Sequence, residues 1–408
     1  MPRSLSTWAA ACVAAWAPCA CPRAGAGERA RPRPPRPAEL ASVFSFGYAG
    51  DRMPKDDGRF EELLRKIKAG GFNVVHCTWT PRRLALCRKH GVRMMVDLLA
   101  ADVGHHVYKN VEGVRALCGT LRGDAAVWGY NTWNDNVGKT TAGRQRDLDN
   151  VRAWDPTHPA YCGTYRTYGM GRLTRVDVFG YYDYHWKRAP QYHFPHLLTY
   201  RAWAVQREAC FYRWVWVESG IPGKGNLNRS LYTVNTSIAC GLKGVLWFLG
   251  TRLLDARTLQ WTTTGGDIVQ VNRQVMPLRR EIMRIGNPAA VYSTPVTKTA
   301  NDRPFPDGKA GEMPPGLEKS GFPADFRLQP GGGEFVLGVF RDDRKRDAVF
   351  VANHNAYAAQ DVVLKLARPA RVSLFDRKRG EWQALPVEDN AIRFKLAPAG
   401  GELLRFER

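Results

Sequence analysis

Two short segments, WGYNTWND (residues 128–135) and FYRWVWVES (residues 211–219), carry the clearest information about the fold. Each is an apolar and aromatic run that stops on a carboxylate, Asp135 in the first and Glu218 in the second. Parallel strands that are covered on both faces are nearly continuous in residues such as Val, Trp and Tyr. In an α/β barrel, the residues just past the carboxyl ends of such strands build the active site. The two segments therefore predict two carboxylates at one rim of a barrel.

Short apolar runs alternate with amphipathic stretches on both sides of these segments. The pattern predicts strands at 44–48, 72–79, 92–99, 127–135, 161–166, 176–185, 211–218 and 244–250, and helices at 60–69, 81–90, 111–121, 143–154 and 267–284. Eight such repeats over about 240 residues match a (β/α)8 TIM barrel, which we place at residues 41–290. An open doubly wound sheet gives the same alternation, but no glycine-rich phosphate loop follows the first strand. We therefore predict an α/β fold of the barrel type.

The composition and the spacing of apolar residues change after the predicted barrel. Residues 291–333 are rich in proline and glycine towards their end and predict an irregular linker. Alternating apolar runs follow at 334–340, 347–353, 361–366, 371–375, 392–396 and 402–406. Period-two alternation with turn residues between the runs predicts a small antiparallel β-sandwich at 334–408. We find no catalytic constellation there and assign it a packing or binding role.

The first residues are typical of an export signal. Arg3 precedes a short apolar stretch and small residues at 24–26, which predicts a signal peptide at 1–26 and a periplasmic or extracellular protein. Cys19 also leaves lipoprotein anchoring open. Residues 27–40 form an arginine- and proline-rich spacer that we expect to be disordered. No later apolar run is long enough for a transmembrane helix.

The charge and the cysteines restrict the possible partners. The net charge of +22 is spread along the chain without a recognisable nucleic-acid module, so we predict no nucleic-acid partner. The charge reflects either arginine on a solvated surface or attraction to an anionic polysaccharide. The cysteines beyond the leader lack CxxC or metal-ligand spacing and predict buried free thiols. We predict no metal site and no cofactor.

The chain resembles the clan A glycoside hydrolases, with the similarity resting on the barrel, the C-terminal sandwich and short motifs at four strand ends. In that clan an Asn-Glu pair ends the fourth strand, and Asn134-Asp135 matches it except that Asp replaces Glu. The resemblance implies that Asp135 is the general acid/base and Glu218 the nucleophile. It also implies an active-site Tyr at the sixth strand end, either Tyr182 or Tyr184.

Further residues at the predicted strand ends are candidates for binding substrate. The resemblance implies a Trp at the eighth strand end, which is Trp247, and a contact from Asn134 to the sugar 2-hydroxyl. The other candidates are polar or aromatic residues at the ends of the second, third, sixth and seventh strands, namely His76, Asp97, Asp183 and Trp216. Asp183 is also the alternative carboxylate to pair with Glu218.

The shorter Asp135 leaves alternatives open. Retaining glycosidases hold their two carboxyl groups about 5–5.5 Å apart and inverting ones about 6.5–9.5 Å apart. We expect a retaining hydrolase of poly- or oligosaccharides. A weak or inactive barrel that binds carbohydrate is the alternative, and a metal-dependent barrel hydrolase is a third possibility.

Overall fold

A computed structural model of the chain describes residues 35, 37–45, 53–99, 110–134, 140–164, 169–183, 192–216, 226–248, 250–296 and 311–407. The predicted signal peptide lies outside these residues. The first eight strands are β1 (Ala41–Ser45), β2 (Val74–Cys77), β3 (Arg93–Asp97), β4 (Val127–Asn134), β5 (Ala160–Thr164), β6 (Val178–Asp183), β7 (Cys210–Trp216) and β8 (Gly244–Phe248). All are parallel, each pairs with the next, and β8 closes the barrel on β1. The barrel prediction is confirmed, and the open doubly wound sheet is excluded.

The described helices lie mainly between these strands. They are α1 (Asp57–Ala69), α2 (Pro81–His90), α3 (Val111–Leu121), α4 (Thr141–Trp154), α5 (His193–Gln206), α6 (Asn226–Ala239), α7 (Gly250–Leu253), α8 (Thr263–Val275) and α9 (Arg279–Arg284). Local signals set their ends. Thr80 caps α2 by accepting from the Arg83 N–H, and Gly91 ends the helix with a left-handed backbone. The predicted helix at 267–284 is divided at Pro277, which has no N–H to continue the hydrogen-bond ladder.

The inner face of the barrel is filled by aromatic side chains. Rings on different strands meet across it: Trp128 lies 5.3 Å from Tyr212, and Tyr161 lies 6.4 Å from Tyr212. Gly180 makes room for Tyr161, because a Cβ at Gly180 would lie 1.8 Å from the Tyr161 hydroxyl. The opposite face of each strand packs against the helices. Because both faces are buried, the strands bury large apolar area on two sides.

The C-terminal part consists of two antiparallel sheets. The remaining strands are β9 (Ala290–Ser293), β10 (Leu328–Gly332), β11 (Phe335–Arg341), β12 (Asp347–Asn353), β13 (Gln360–Leu366), β14 (Arg371–Asp376), β15 (Glu381–Leu385), β16 (Ala391–Leu396) and β17 (Gly401–Glu407). They form a sheet of order β10-β13-β16 and a sheet of order β15-β14-β17-β12-β11-β9. Apolar side chains from both sheets share one core. The antiparallel sandwich is therefore confirmed, although β9 and β10 fall at the edges of the predicted linker.

Helix α6 joins the barrel to the six-stranded sheet. It packs against β11 and β12, and Asn235 on this helix donates to the Ala399 carbonyl at 2.8 Å. The close approach requires a glycine, since a Cβ at Gly338 would lie 2.0 Å from the Ala239 carbonyl oxygen. In the part of the chain that the structure describes, no helix is long and apolar enough to cross a membrane. The cysteines beyond the leader are all free and buried, as predicted: Cys77, Cys87, Cys118, Cys162, Cys210 and Cys240.

Candidate active site at the carboxyl end of the barrel

Four polar side chains lie together on the inner side of the first four strands, towards their carboxyl ends. They are Ser45 on β1, His76 on β2, Asp97 on β3 and Asn131 on β4, and all are at most 1% exposed. The strand register explains the grouping, because Ser45 pairs with His76 and Asp97 pairs with Asn131. Residues paired across neighbouring strands present their side chains on one face.

The four side chains form one hydrogen-bonded network. Ser45 Oγ lies 3.0 Å from His76 Nδ1, and Asn131 Nδ2 lies 3.0 Å from His76 Nε2. With the Asn131 amide donating to Nε2, the imidazole carries its proton on Nδ1 and donates it to Ser45. Asp97 Oδ1 accepts from the Leu99 N–H at 3.0 Å and from Asn131 Nδ2 at 3.5 Å. The network therefore fixes the orientation of the His76 ring.

Two acceptor atoms of this network have no hydrogen-bond donor among the described residues. Asp97 Oδ2 is buried and lies 3.6 Å from His76 Nε2, too far for a hydrogen bond, and Asn131 Oδ1 is buried as well. Leaving a buried polar atom unsatisfied costs free energy, and such atoms call for an explanation such as a ligand. Both atoms need a donor, and hydroxyl groups are donors. The cluster is therefore suited to a ligand rich in hydroxyl groups.

The other half of the barrel presents aromatic rings beside this polar cluster. The centre is Trp214 on β7, whose ring lies 4.9 Å from Tyr182, 5.4 Å from Phe248 and 6.3 Å from His76. Its indole N–H donates to the Tyr161 hydroxyl. Aromatic faces beside polar groups are a common construction in ligand sites, where a few polar atoms set orientation and the rings supply contact area.

The layer next to Trp214 on the inner face is closed and apolar. Tyr212 is fully buried there, and burial raises the pKa of its hydroxyl well above the usual value, so that the phenol stays neutral.

Within the described ranges, no group of three or more His, Cys, Asp or Glu side chains is arranged to hold a metal ion.

The predicted catalytic carboxylates follow strands whose ends are described. Asp135, Tyr184 and Glu218 lie outside the described residues. The backbone is described for Asn134, Asp183 and Trp216, which are the last residues of β4, β6 and β7. In the register Asn134 pairs with Gly163, Asp183 with Val215 and Trp216 with Phe248. Because the barrel is parallel, these strand ends share one rim with Asp97.

Trp247 lies apart from the other predicted site residues. Its indole N–H donates to Ser42 Oγ at 3.0 Å, and Ser42 Oγ donates to Asn272 Oδ1 on α8 at 2.8 Å. The ring is therefore held between the barrel wall and the helix layer. Its neighbour Phe248 belongs to the inner cluster with Trp214 and Tyr182. The structure thus brings Phe248 towards the candidate site in place of Trp247.

Sequence reasoning found some members of this site and missed others. His76, Asp97 and Tyr182 were predicted and lie in or beside the cluster. The residues that were missed are Ser45, Asn131, Tyr161, Trp214 and Phe248. One signal was available for Asn131, because it is an amide inside the aromatic run WGYNTWND. A buried amide within a strand needs partners, which marks it as a site candidate.

Similarity to known proteins is found among solved structures. No protein-family model matches the sequence, and a search of curated proteins found no match. An Anoxybacillus α-amylase structure is similar, with a TM-score of 0.51 and 10% identity over 90% of this chain and 98% of that one. A maltogenic α-amylase of Thermotoga neapolitana has a TM-score of 0.46 and 11% identity over 90% of this chain and 99% of that one. A GH5-4 endoglucanase of Clostridium acetobutylicum has a TM-score of 0.42 and 13% identity over 57% of this chain and 96% of that one.

These similarities concern the fold alone. Identities of 10–13% do not transfer an activity, because one barrel fold hosts many chemistries. The first comparison spans nine-tenths of this chain and confirms the fold part of the resemblance: a closed (β/α)8 barrel followed by antiparallel sheets.

Proposed function

We propose that this protein is an exported glycoside hydrolase that cleaves O-glycosidic bonds in poly- or oligosaccharides with retention of configuration. The observation that carries the proposal is the inner face of the barrel, where a buried network with two unsatisfied acceptors faces a group of aromatic rings. Sugars supply both hydroxyl donors and apolar ring faces. The fold shared with an α-amylase is compatible with this substrate class.

In the proposed mechanism Glu218 is the nucleophile and Asp135 the acid/base. Asp135 protonates the departing glycosidic oxygen while Glu218 attacks the anomeric carbon, and a glycosyl-enzyme ester forms. Asp135 then takes a proton from the incoming water, which releases the sugar and frees Glu218. Support comes from topology: Asp135 directly follows the last residue of β4, and Glu218 comes two residues after the last residue of β7.

The described side chains would bind the sugar below these carboxylates. We assign Asp97 Oδ2 and Asn131 Oδ1 to sugar hydroxyl groups, and His76 to holding the Asn131 amide in place. Trp214 and Phe248 would contact the apolar face of the ring. Among the residues at the rim, we retain Asn134, Tyr182, Asp183, Tyr184 and Trp216 as proposed substrate contacts.

The test is turnover of a panel of aryl glycosides and polysaccharides by the mature protein. Glu218→Gln and Asp135→Asn are measured beside Glu388→Gln, which makes the same change at an exposed position of the C-terminal sheets. Loss of general acid/base catalysis lowers kcat by roughly 10²–10⁴-fold, and we expect at least that effect at both proposed sites. The control should retain full activity. The anomer released first, read by NMR, distinguishes retention from inversion.

Two results would contradict the proposal. Activity that survives in both Glu218→Gln and Asp135→Asn would exclude this carboxylate pair. Absence of turnover on every substrate, together with saccharide binding that both substitutions leave unchanged, would indicate a carbohydrate-binding barrel without hydrolysis.

A further inference from the structure

One aromatic side chain at the surface of the barrel is open to solvent. Tyr192 is 46% exposed, and it is the one exposed aromatic residue in the part of the chain that the structure describes. The other large apolar side chains with comparable exposure are valines, namely Val111, Val205 and Val387. An aromatic ring carries a large apolar area, and leaving it in water forgoes the stabilisation that its burial gives. Tyr192 is therefore a candidate contact for a ligand.

Tyr192 lies on the side of the barrel where the strands end. It is the N-cap residue of α5, the helix that follows β6. Because all eight strands are parallel, the helix that follows a strand begins on the side where that strand ends. The exposed ring therefore belongs to the same side of the barrel as the proposed active site, in the surrounding layer of helices.

The ring of Tyr192 has one face against the protein. That face stacks on His196, one helical turn further along α5, with the ring centres 5.6 Å apart and the ring planes inclined by 12°. The stack holds the plane of the ring. The exposed area of the side chain belongs to the opposite face and to the edge that carries the hydroxyl group. Tyr192 therefore offers a flat apolar surface with a polar rim, which matches the face of a sugar ring.

The first turn of α5 is anchored to three neighbouring parts of the protein. Arg213 Nη1 on β7 donates to His193 Nδ1 at 3.1 Å, and His193 Nε2 donates to Thr236 Oγ1 on α6 at 2.9 Å. Phe194 packs edge-to-face on His354, which follows β12 of the sandwich, with the ring centres 5.8 Å apart. These contacts position the exposed ring before any ligand arrives. Binding to a surface that is already ordered loses little conformational entropy.

We propose that Tyr192 is an outer subsite for a saccharide chain, where its open face stacks on a sugar residue beyond those at the proposed cleavage site. The inference rests on the proposed saccharide substrate and extends it to long chains. A long chain bound at the carboxyl end of the barrel crosses the rim as it leaves the site, and Tyr192 is the exposed ring on that side. Stacking needs neither Asp135 nor Glu218, so it can be measured as binding without turnover.

The test is the retardation of the full chain in native gels that contain a polysaccharide. The probes are soluble amylose, a mixed-linkage β-glucan, xylan and galactomannan. Tyr192→Ala is compared with Val205→Ala, which removes an exposed apolar side chain from the other end of the same helix. One aromatic contact contributes roughly 2- to 12-fold to affinity, so Tyr192→Ala should weaken binding of the retarding polysaccharide by that factor. Val205→Ala and Tyr192→Phe, which keeps the ring, should bind like the parent.

The dependence on chain length locates the contact. Isothermal titration calorimetry compares a hexasaccharide with a disaccharide, both cut from the polysaccharide that retards the parent. An outer subsite is reached only by the longer chain, so Tyr192→Ala should weaken binding of the hexasaccharide and leave that of the disaccharide unchanged. Because Tyr192 is exposed, the substitution should leave the urea midpoint unchanged, which shows that the variant is folded.

Several outcomes would overturn the inference. A parent protein that none of the polysaccharides retards has no such subsite, and neither has one in which Tyr192→Ala binds as well as Val205→Ala. Equal weakening by Tyr192→Phe and Tyr192→Ala would assign the contact to the hydroxyl group and not to the ring face. Equal weakening for both chain lengths would exclude an outer position. Polysaccharide binding that depends on Tyr192, with no turnover of any substrate, would refute the proposed hydrolysis and leave this subsite supported.

Discussion

Replacing Asp97 by Asn separates the two roles that this buried carboxylate could have. The amide has almost the same shape, and its oxygen can keep the hydrogen bond from the Leu99 N–H, now 3.0 Å long. Its nitrogen takes the place of Oδ2, which has no donor and lies 3.6 Å from His76 Nε2. That imidazole nitrogen has one lone pair, which already accepts from Asn131 Nδ2, so the new amide nitrogen competes for it and gains no full hydrogen bond.

The structure predicts opposite effects on stability and on activity. The substitution removes a buried charge that is incompletely paired, so the free energy of unfolding should change by less than about 1 kcal/mol, or rise. If Oδ2 accepts a hydrogen bond from a sugar hydroxyl, the ligand loses a charged acceptor worth about 1.5–3 kcal/mol. That energy corresponds to a fall in kcat/KM of roughly 10- to 150-fold.

The two effects are measured on the same preparation. Urea unfolding gives the free energy, and turnover of the substrate identified by the panel gives kcat/KM. Asp155→Asn is the matched control, because it makes the same chemical change in a buried carboxylate at the opposite end of the barrel. The reasoning on Asp97 fails if Asp97→Asn loses more than about 2 kcal/mol of stability and keeps kcat/KM within twofold, since only a structural carboxylate behaves in that way.

Three further predictions concern stability. Asp155→Asn should lose about 2–4 kcal/mol in urea unfolding, because an amide nitrogen in the place of Oδ2 cannot accept the hydrogen bonds from Tyr130 and His158, and the two bonds from Thr157 to Oδ1 lose their charged acceptor. His354 is buried and its pKa is lowered to about 3, so between pH 6.5 and 4.5 the unfolded chain binds the proton and the folded chain does not. The free energy of unfolding should therefore fall by about 2 kcal/mol over that range, and His354→Gln should remove that part of the pH dependence. Gly180→Ala should displace Tyr161 and cost about 1–3 kcal/mol, whereas Gly119→Ala, an open helical position, should be neutral or stabilising in the same urea assay.

The sequence predicts the fold well where local signals and burial agree. The helix α2 has the predicted bounds, with Thr80 as its cap, Pro81 in its first turn and Gly91 at its end. The strand β12 also has the predicted bounds, because its apolar run is bounded by polar turns. Elements of this kind need no tertiary contact to be recognised.

The sequence fails where tertiary structure overrides the local pattern. Pro330, Gly331 and Gly332 fall in the predicted irregular linker, yet they lie in β10, an edge strand with a bulge where proline and glycine are tolerated. β1 begins at Ala41, three residues before the predicted start, because the polar Ser42 interrupts the apolar run. Ser42 is satisfied in the folded chain by Asn272 of α8, more than 200 residues away, a contact that no local pattern reveals.

The sequence also does not show which side chains of a barrel strand point into the barrel and which point to the helices. Parallel barrel strands are buried on both sides, so hydrophobicity does not distinguish the inner face from the outer one. The stretch Gly244–Phe248 shows this, since Trp247 and Phe248 are both buried and aromatic but lie on opposite faces. The family resemblance implied Trp247 as the site residue. In the structure it is Phe248 that lies beside Trp214 on the inner face. For residues of parallel barrel strands, the sequence therefore predicts the position along the strand better than it predicts whether a side chain points to the inside or the outside of the barrel.

Two buried carboxylates at opposite ends of the barrel, Asp155 and Asp97, differ in how completely their oxygens are hydrogen-bonded. At the amino end, Asp155 receives hydrogen bonds from Tyr130, Thr157 and His158; although burial raises its pKa, these bonds outweigh burial and hold the pKa below the usual value. Such a saturated carboxylate contributes to stability. At the carboxyl end, Asp97 is the one carboxylate in the described ranges with a buried oxygen that lacks a donor. Asp97 Oδ2 is therefore the carboxylate oxygen of the described residues on which the proposed sugar contact depends, and Asp97→Asn beside Asp155→Asn tests that contact directly.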